Sequence, residues 1–167
     1  MTPAQRDMLT STLERAITDV CSMMLGQDVT VGGGAGEPDA AEATLQHRDG
    51  AGVRGSIEIT GDLAGEATVH LPTETAVNMV SAFVGAPITP DDEAFADAVG
   101  ELANMIVGSA KAHFEGLSCS ISCPTVELVA SRCDADTGTC TPVRRPDLCL
   151  PVTGSSGDFA VEVLLAA

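Results

Sequence analysis

Aromatic side chains are nearly missing from this sequence, making up 2% of 167 residues, with no Trp and no Tyr. A core must therefore be assembled from Val, Leu, Ile, Ala and Met. Basic residues are also scarce: 8 Lys and Arg stand against 24 Asp and Glu, for a formal charge of −16. Nucleic-acid binding needs a cationic footprint, and the only adjacent basic pair is Arg144-Arg145. An anionic membrane surface is disfavoured for the same reason. Docking to an acidic protein would have to be local and short-range, with repulsion at distance that salt screens. No apolar run approaches 18 residues, so no membrane span is expected. The first residues, Met1-Thr2-Pro3-Ala4-Gln5-Arg6-Asp7, lack a basic stretch followed by an apolar one, so no secretory signal is expected.

What is present suits one folded domain over residues 1–167. Apolar residues make up 44% and mean hydropathy is +0.21, which argues against disorder. A domain of this size buries roughly 70% of its unfolded surface and needs no covalent staples. The six cysteines, Cys21, Cys119, Cys123, Cys133, Cys140 and Cys149, are accordingly expected as free thiols in a reducing cytoplasm, most of them buried as small apolar side chains. They contain no C-x-x-C pair and no nearby His, so a zinc site is not expected. Asp134-Ala135-Asp136-Thr137-Gly138-Thr139 lacks the third acidic ligand and the distal Glu of a calcium loop and reads as a turn. His47, His70 and His113 show no ligand spacing, and no Ser/His/Asp arrangement emerges. A metal- or redox-sensing protein that uses its thiols is a third alternative.

The pattern predicts helix, strands, helix, helix, strands. Thr2, Pro3 and Gln5 form a capping box at a first helix, Leu9, Leu13, Ile17, Val20, Cys21 and Met24 recur at helical spacing, and Gly26 ends it. Residues 32–40 are Gly-rich and read as a flexible linker; no Gly-Lys-Ser/Thr follows to bind phosphate. Strands are predicted over roughly 42–48, then 53–60 and 65–71. A short helix follows, capped by Thr73 and closed by Gly85. A long helix is predicted from a Thr89 cap and Pro90 to about Glu115, with Asp91, Asp92 and Glu93 at its positive end. Its inward stripe is Phe95, Ala98, Val99, Leu102, Ile106, Ala110 and His113 or Phe114. Strands at 117–123, 125–130, 148–152 and 159–165 complete the chain, the last two joined by a turn at 154–157. Such an order implies an α+β fold with a largely antiparallel sheet and long helices packed on it.

The other side of the long helix does not belong to the core. Asp97, Glu101, Asn104, Gly108 and Lys111 fall on one stripe. Asn competes with the helix backbone for hydrogen bonds, and Gly costs about 1 kcal/mol relative to Ala. Gly108 makes sense where something approaches the backbone closely. Glu101 and Asn104, one turn apart, offer a carboxylate and an amide together on a rigid element. On residues alone, a solvated face with an incidental Asn and a helix–helix contact at Gly108 remains an open alternative.

The segment Phe95-Ala96-Asp97-Ala98-Val99-Gly100-Glu101-Leu102-Ala103-Asn104-Met105-Ile106-Val107-Gly108-Ser109-Ala110-Lys111 resembles the signature helix of the CheC/CheX/FliY family: an acidic residue, then Glu-x-x-Asn-x-x-x-Gly. Gly-Ser-Ile-Glu-Ile-Thr-Gly (55–61), Val-Ser-Ala-Phe-Val-Gly (80–85), Ser-Cys-Pro-Thr-Val (122–126) and Phe-Ala-Val-Glu-Val (159–163) match its other landmarks in order. Residues 32–40 and 131–147 are the least typical. CheC-type members carry two such motifs. Here the second candidate, Glu74 and Asn78, is spaced by four, and Val77 stands three after Glu74. The resemblance is therefore to the CheX branch, with one site per chain.

The resemblance implies a cytoplasmic, homodimeric phosphatase of the aspartyl phosphate on CheY-like receiver domains, in chemotaxis or a related two-component pathway. Glu101 and Asn104 would be catalytic; Asp97, Gly108 and Lys111 would contact the partner. No cofactor of its own is implied, since the receiver would bring Mg²⁺. The competing function is a non-catalytic receiver-binding or flagellar-switch module.

Overall fold

The computed structural model describes residues 1–32, 51–130 and 145–166. The expected strand at 42–48, the linker from residue 33 on, His47, Cys133, Cys140 and the turn at 134–139 lie outside the described residues.

Helix α1 (Pro3–Leu25) starts as its sequence predicts. Thr2 Oγ1 accepts from Gln5 N at 3.2 Å, and Gln5 Oε1 accepts from Thr2 N at 2.8 Å. Gly26 closes the helix at φ +64°, a left-handed conformation that glycine adopts without a Cβ penalty. Thr2→Ala removes half of the capping box. It is expected to cost about 1 kcal/mol, read as a lowered urea midpoint with an unchanged slope.

Strand β1 (Val29–Val31) follows, then β2 (Gly52–Gly61), β3 (Gly65–Pro72), helix α2 (Thr73–Val84), helix α3 (Glu93–Lys111), β4 (Cys119–Ile121), β5 (Thr125–Val129), β6 (Leu148–Gly154) and β7 (Phe159–Leu165). All pairings are antiparallel, in the order β1-β6-β7-β3-β2-β4, with β5 sharing the outer edge of β2 with β4. One domain of α+β type results.

Alternation separates the two faces of the sheet. Val53, Ile57 and Ile59 of β2, Val69 and Leu71 of β3, Leu148, Leu150 and Val152 of β6, and Phe159, Val161 and Val163 of β7 are all buried. They share one core with Leu9, Leu13 and Ile17 of α1 and Phe95, Val99, Leu102 and Ile106 of α3. Helices α1 and α3 also pack against each other. The opposite face of the sheet is polar. There His70 Nε2 and Glu162 Oε2 meet at 3.1 Å, both residues buried, and Ser56 and Thr68 hydroxyls meet at 3.1 Å.

Several boundaries differ from the sequence-based expectation. Thr89 does not cap α3. The position belongs to Asp92, whose carboxylate accepts from the backbone N–H of Thr89 at 2.6 Å and from its hydroxyl at 2.9 Å. Those bonds hold the exposed Asp92 carboxyl below its ordinary pKa, the backbone bond contributing most. Helix α3 ends at Lys111 rather than near Glu115, and turns carry the chain to Gly116 at φ +72°. Phe114 is buried and His113 is exposed, its Nδ1 2.9 Å from Ser109 O. Thr73 is the first residue of α2 rather than its cap. The strand expected at 117–123 shrinks to Cys119–Ile121, and β1, three residues long, is added.

Candidate functional site

Helix α3 lies with its apolar side on the sheet and α1. Its buried positions are Phe95, Ala98, Val99, Gly100, Leu102, Ala103, Ile106, Val107 and Ala110. Asp97 and Glu101 are exposed, and Asn104, Gly108 and Lys111 are half-buried at the rim. All five therefore occupy the face that the helical period assigns them. Glu101 and Asn104 are one turn apart in the middle of a 19-residue helix. Neither side chain makes a hydrogen bond or ion pair among the described residues. A carboxylate acceptor and an amide that both donates and accepts are thus available together to a group from outside.

The glycines of this helix have different reasons. A Cβ at Gly108 would lie 3.8 Å from Ile121 Cδ1, an ordinary contact. Packing with the described residues therefore does not require glycine there, and the neighbour is a strand rather than a second helix. Gly100 is different. A Cβ there would stand 3.2 Å from Pro124 Cγ and 3.3 Å from Val126 Cγ2. Sequence reading passed over Gly100, because its reason lies in a strand that begins 25 residues later.

The second Glu/Asn candidate behaves otherwise. Asn78 Nδ2 donates to Ser156 O at 3.0 Å, and Thr75 Oγ1 donates to Asp158 O at 3.1 Å. Asn78 holds the β6–β7 turn against α2, so its amide is committed within the fold.

Four cysteines are described: Cys21 is buried, Cys119 and Cys149 are half-buried, and Cys123 is exposed. Burial pushes the Cys21 thiol up to about 11. Since the thiolate is the nucleophile, Cys21 is expected to resist alkylation in native protein at pH 8 while Cys123 reacts. Peptide mapping after iodoacetamide treatment reads both sites. Among the described residues, no group of three or more His, Cys, Asp or Glu side chains could hold a metal ion. No helix among them is long and apolar enough to cross a membrane.

Residues 53–133, which include all of α3, match the family described as chemotaxis phosphatase CheX. No match was found among curated proteins. The chemotaxis protein CheX from Desulfovibrio desulfuricans has a similar structure, with a TM-score of 0.72 at 24% identity over 95% of this chain and 99% of that one. FliY from Thermotoga maritima gives 0.66 at 23% identity over 99% and 92%. CheX from Borrelia burgdorferi, solved in a complex with CheY, BeF3 and Mg²⁺, gives 0.63 at 16% identity over 94% and 97%. Over its central segment this chain is thus CheX-like in sequence, and over nearly its whole length it has the fold of the CheX/CheC-like chemotaxis proteins, FliY included.

Proposed function

We propose that this protein hydrolyses the aspartyl phosphate of a CheY-like receiver domain and so ends its signal, acting in the cytoplasm as a homodimer. The observation that carries the reading is the Glu101/Asn104 pair. It stands uncommitted on the outer face of a rigid helix, inside the segment that matches the CheX family. The complex of the Borrelia burgdorferi relative with CheY supports a receiver as the partner.

Hydrolysis of an acyl phosphate needs an in-line water and neutralised charge on the phosphoryl oxygens. The receiver brings Mg²⁺ and a Lys of its own, which leaves the phosphatase to place the water. The Asn104 amide does this by donating to and accepting from the water at once. Glu101 pairs with the receiver Lys and sets the docking register. Both groups sit on a helix, so little orientational freedom is lost when they enter the receiver site. Asp97 and Lys111 are rim contacts.

Gly108 lets the receiver approach the helix backbone. Gly108→Leu places a bulky side chain on that surface while favouring the helix. Thermal stability is expected to hold or rise, and affinity for the receiver to fall on the order of tenfold, about 1.4 kcal/mol. Titration calorimetry beside a melting curve separates the two effects.

The test is inorganic phosphate release from a panel of receiver domains phosphorylated with a small-molecule donor. Release accelerated by catalytic amounts of the protein is expected for at least one of them. Binding of phosphorylated receivers with no change in release would instead make the protein a receiver-binding module.

A further inference from the structure

Glu101 and Asn104 each directly follow a residue in close contact with the sheet. Gly100 meets the edge strand, where an added Cβ would lie 3.2 Å from Pro124 Cγ and 3.3 Å from Val126 Cγ2. Ala103 meets β2, where a Cβ added at Gly55 would lie 3.0 Å from Ala103 Cβ. Real Cβ atoms rarely come this close to a neighbour, so α3 rests on the sheet at a depth that two glycines permit. The next residue along the helix is rotated by about 100°, which turns both functional side chains outward from these two contacts.

The edge strand is shaped to meet the helix. Ile121 pairs with Ile59 and Thr125 pairs with Ser56. Ser122, Cys123 and Pro124 therefore oppose only Ile57 and Glu58, which makes a bulge with one extra residue. Bulges bend a strand and re-aim its side chains. Proline is tolerated here because an edge strand at a bulge can forgo a ladder donor. Ser122 secures the bulge: its N–H donates to Glu58 O at 2.9 Å, and its hydroxyl accepts from Glu58 N at 3.0 Å. Pro124 then projects against Gly100.

We infer that Gly100 and Gly55, with the Ser122–Pro124 bulge, are positioning residues that set the depth and rotation of α3 and thereby the pose of Glu101 and Asn104. The inference rests on the receiver-phosphatase reading above. An alanine at either glycine makes a neighbour yield by a few tenths of an ångström. Displacement of about 1 Å can cost a hundredfold in rate, so a shift of this smaller size is expected to cost about tenfold in turnover. The outer face of α3 keeps its side chains, so affinity is retained.

The experiment compares Gly100→Ala, Val126→Ala and the double variant with wild type, well below their melting temperatures. Turnover is measured on a CheY-like receiver phosphorylated with a small-molecule donor, and affinity on the same receiver carrying beryllofluoride. Gly100→Ala is expected to lose about tenfold in kcat with affinity unchanged, and Val126→Ala to restore part of that loss by removing Val126 Cγ2, one of the two close neighbours, while Pro124 remains. Should Gly100→Ala fail to fold, Gly55→Ala with Ala103→Gly as its rescuing partner reads the same device from the sheet side. Unchanged kcat in the alanine variant overturns the inference. So does loss of kcat and affinity together, or loss that the second substitution does not restore. Asn104→Ala is run in parallel. If wild type does not accelerate dephosphorylation, or Asn104→Ala turns over like wild type, the phosphatase reading itself fails; full turnover in Gly100→Ala beside an inactive Asn104→Ala removes only the positioning role.

Discussion

Replacing Asn104 by alanine is expected to slow receiver dephosphorylation about a hundredfold, equivalent to about 2.7 kcal/mol of barrier. The affinity for the receiver should change little. The two effects separate under the proposed mechanism, in which the amide acts on the water and not on the bulk of the docking surface. A side chain that touches the nucleophile only as it attacks contributes to the transition state more than to the bound ground state. Asn104 is half-buried at the rim of α3 and has no hydrogen bond within the described structure, so its loss breaks no internal network. The variant should melt like wild type or slightly higher, since Ala favours a helix over Asn. A variant with equal turnover would remove Asn104 from the mechanism. A variant that no longer binds would make it a docking residue.

Phe95→Ala is expected to have the largest effect on stability. Phe95 is 2% exposed and is one of only four aromatic residues in the chain. It is buried in the first turn of α3, just beyond the Asp92 cap, and its N–H donates to Asp92 O at 3.0 Å. Truncating a buried Phe typically costs about 3–5 kcal/mol through lost transfer energy and the cavity left behind. Against a total stability on the order of 5–15 kcal/mol, that is a large share. Urea denaturation followed by circular dichroism should show the midpoint shift at constant slope. A loss below about 1 kcal/mol would mean that the site collapses around the missing ring, and that Phe95 does not anchor the helix.

The parts of the fold that could be read from sequence are those whose signals are local. Thr2, Pro3, Gln5 and Gly26 bound α1 because capping involves groups within one turn of each other. The outer face of α3 was legible because polar and glycine residues interrupt an otherwise apolar helix at helical spacing. The start of α3 differs from the Thr89 expectation because Thr89-Pro90 and Asp92 are both good starting signals. The choice is made by the Asp92 carboxylate, which turns back to bond Thr89. Strand β1 has three residues, too few for a period to show. The break between β4 and β5 at Pro124 is readable from sequence, but the extra residue there arises from register against β2, which no stretch of the edge strand encodes by itself. Gly100 was overlooked for the same reason: its neighbours Pro124 and Val126 are distant in sequence, and only the folded sheet brings them beneath the helix.

The most direct measurement is the lifetime of the aspartyl phosphate on a CheY-like receiver in Mg²⁺, followed alone, with the intact protein, and with Asn104→Ala. If Asn104 on α3 places the attacking water, the lifetime is shortened by the intact protein only. Equal lifetimes in all three samples, on a receiver shown to bind the protein, would contradict it.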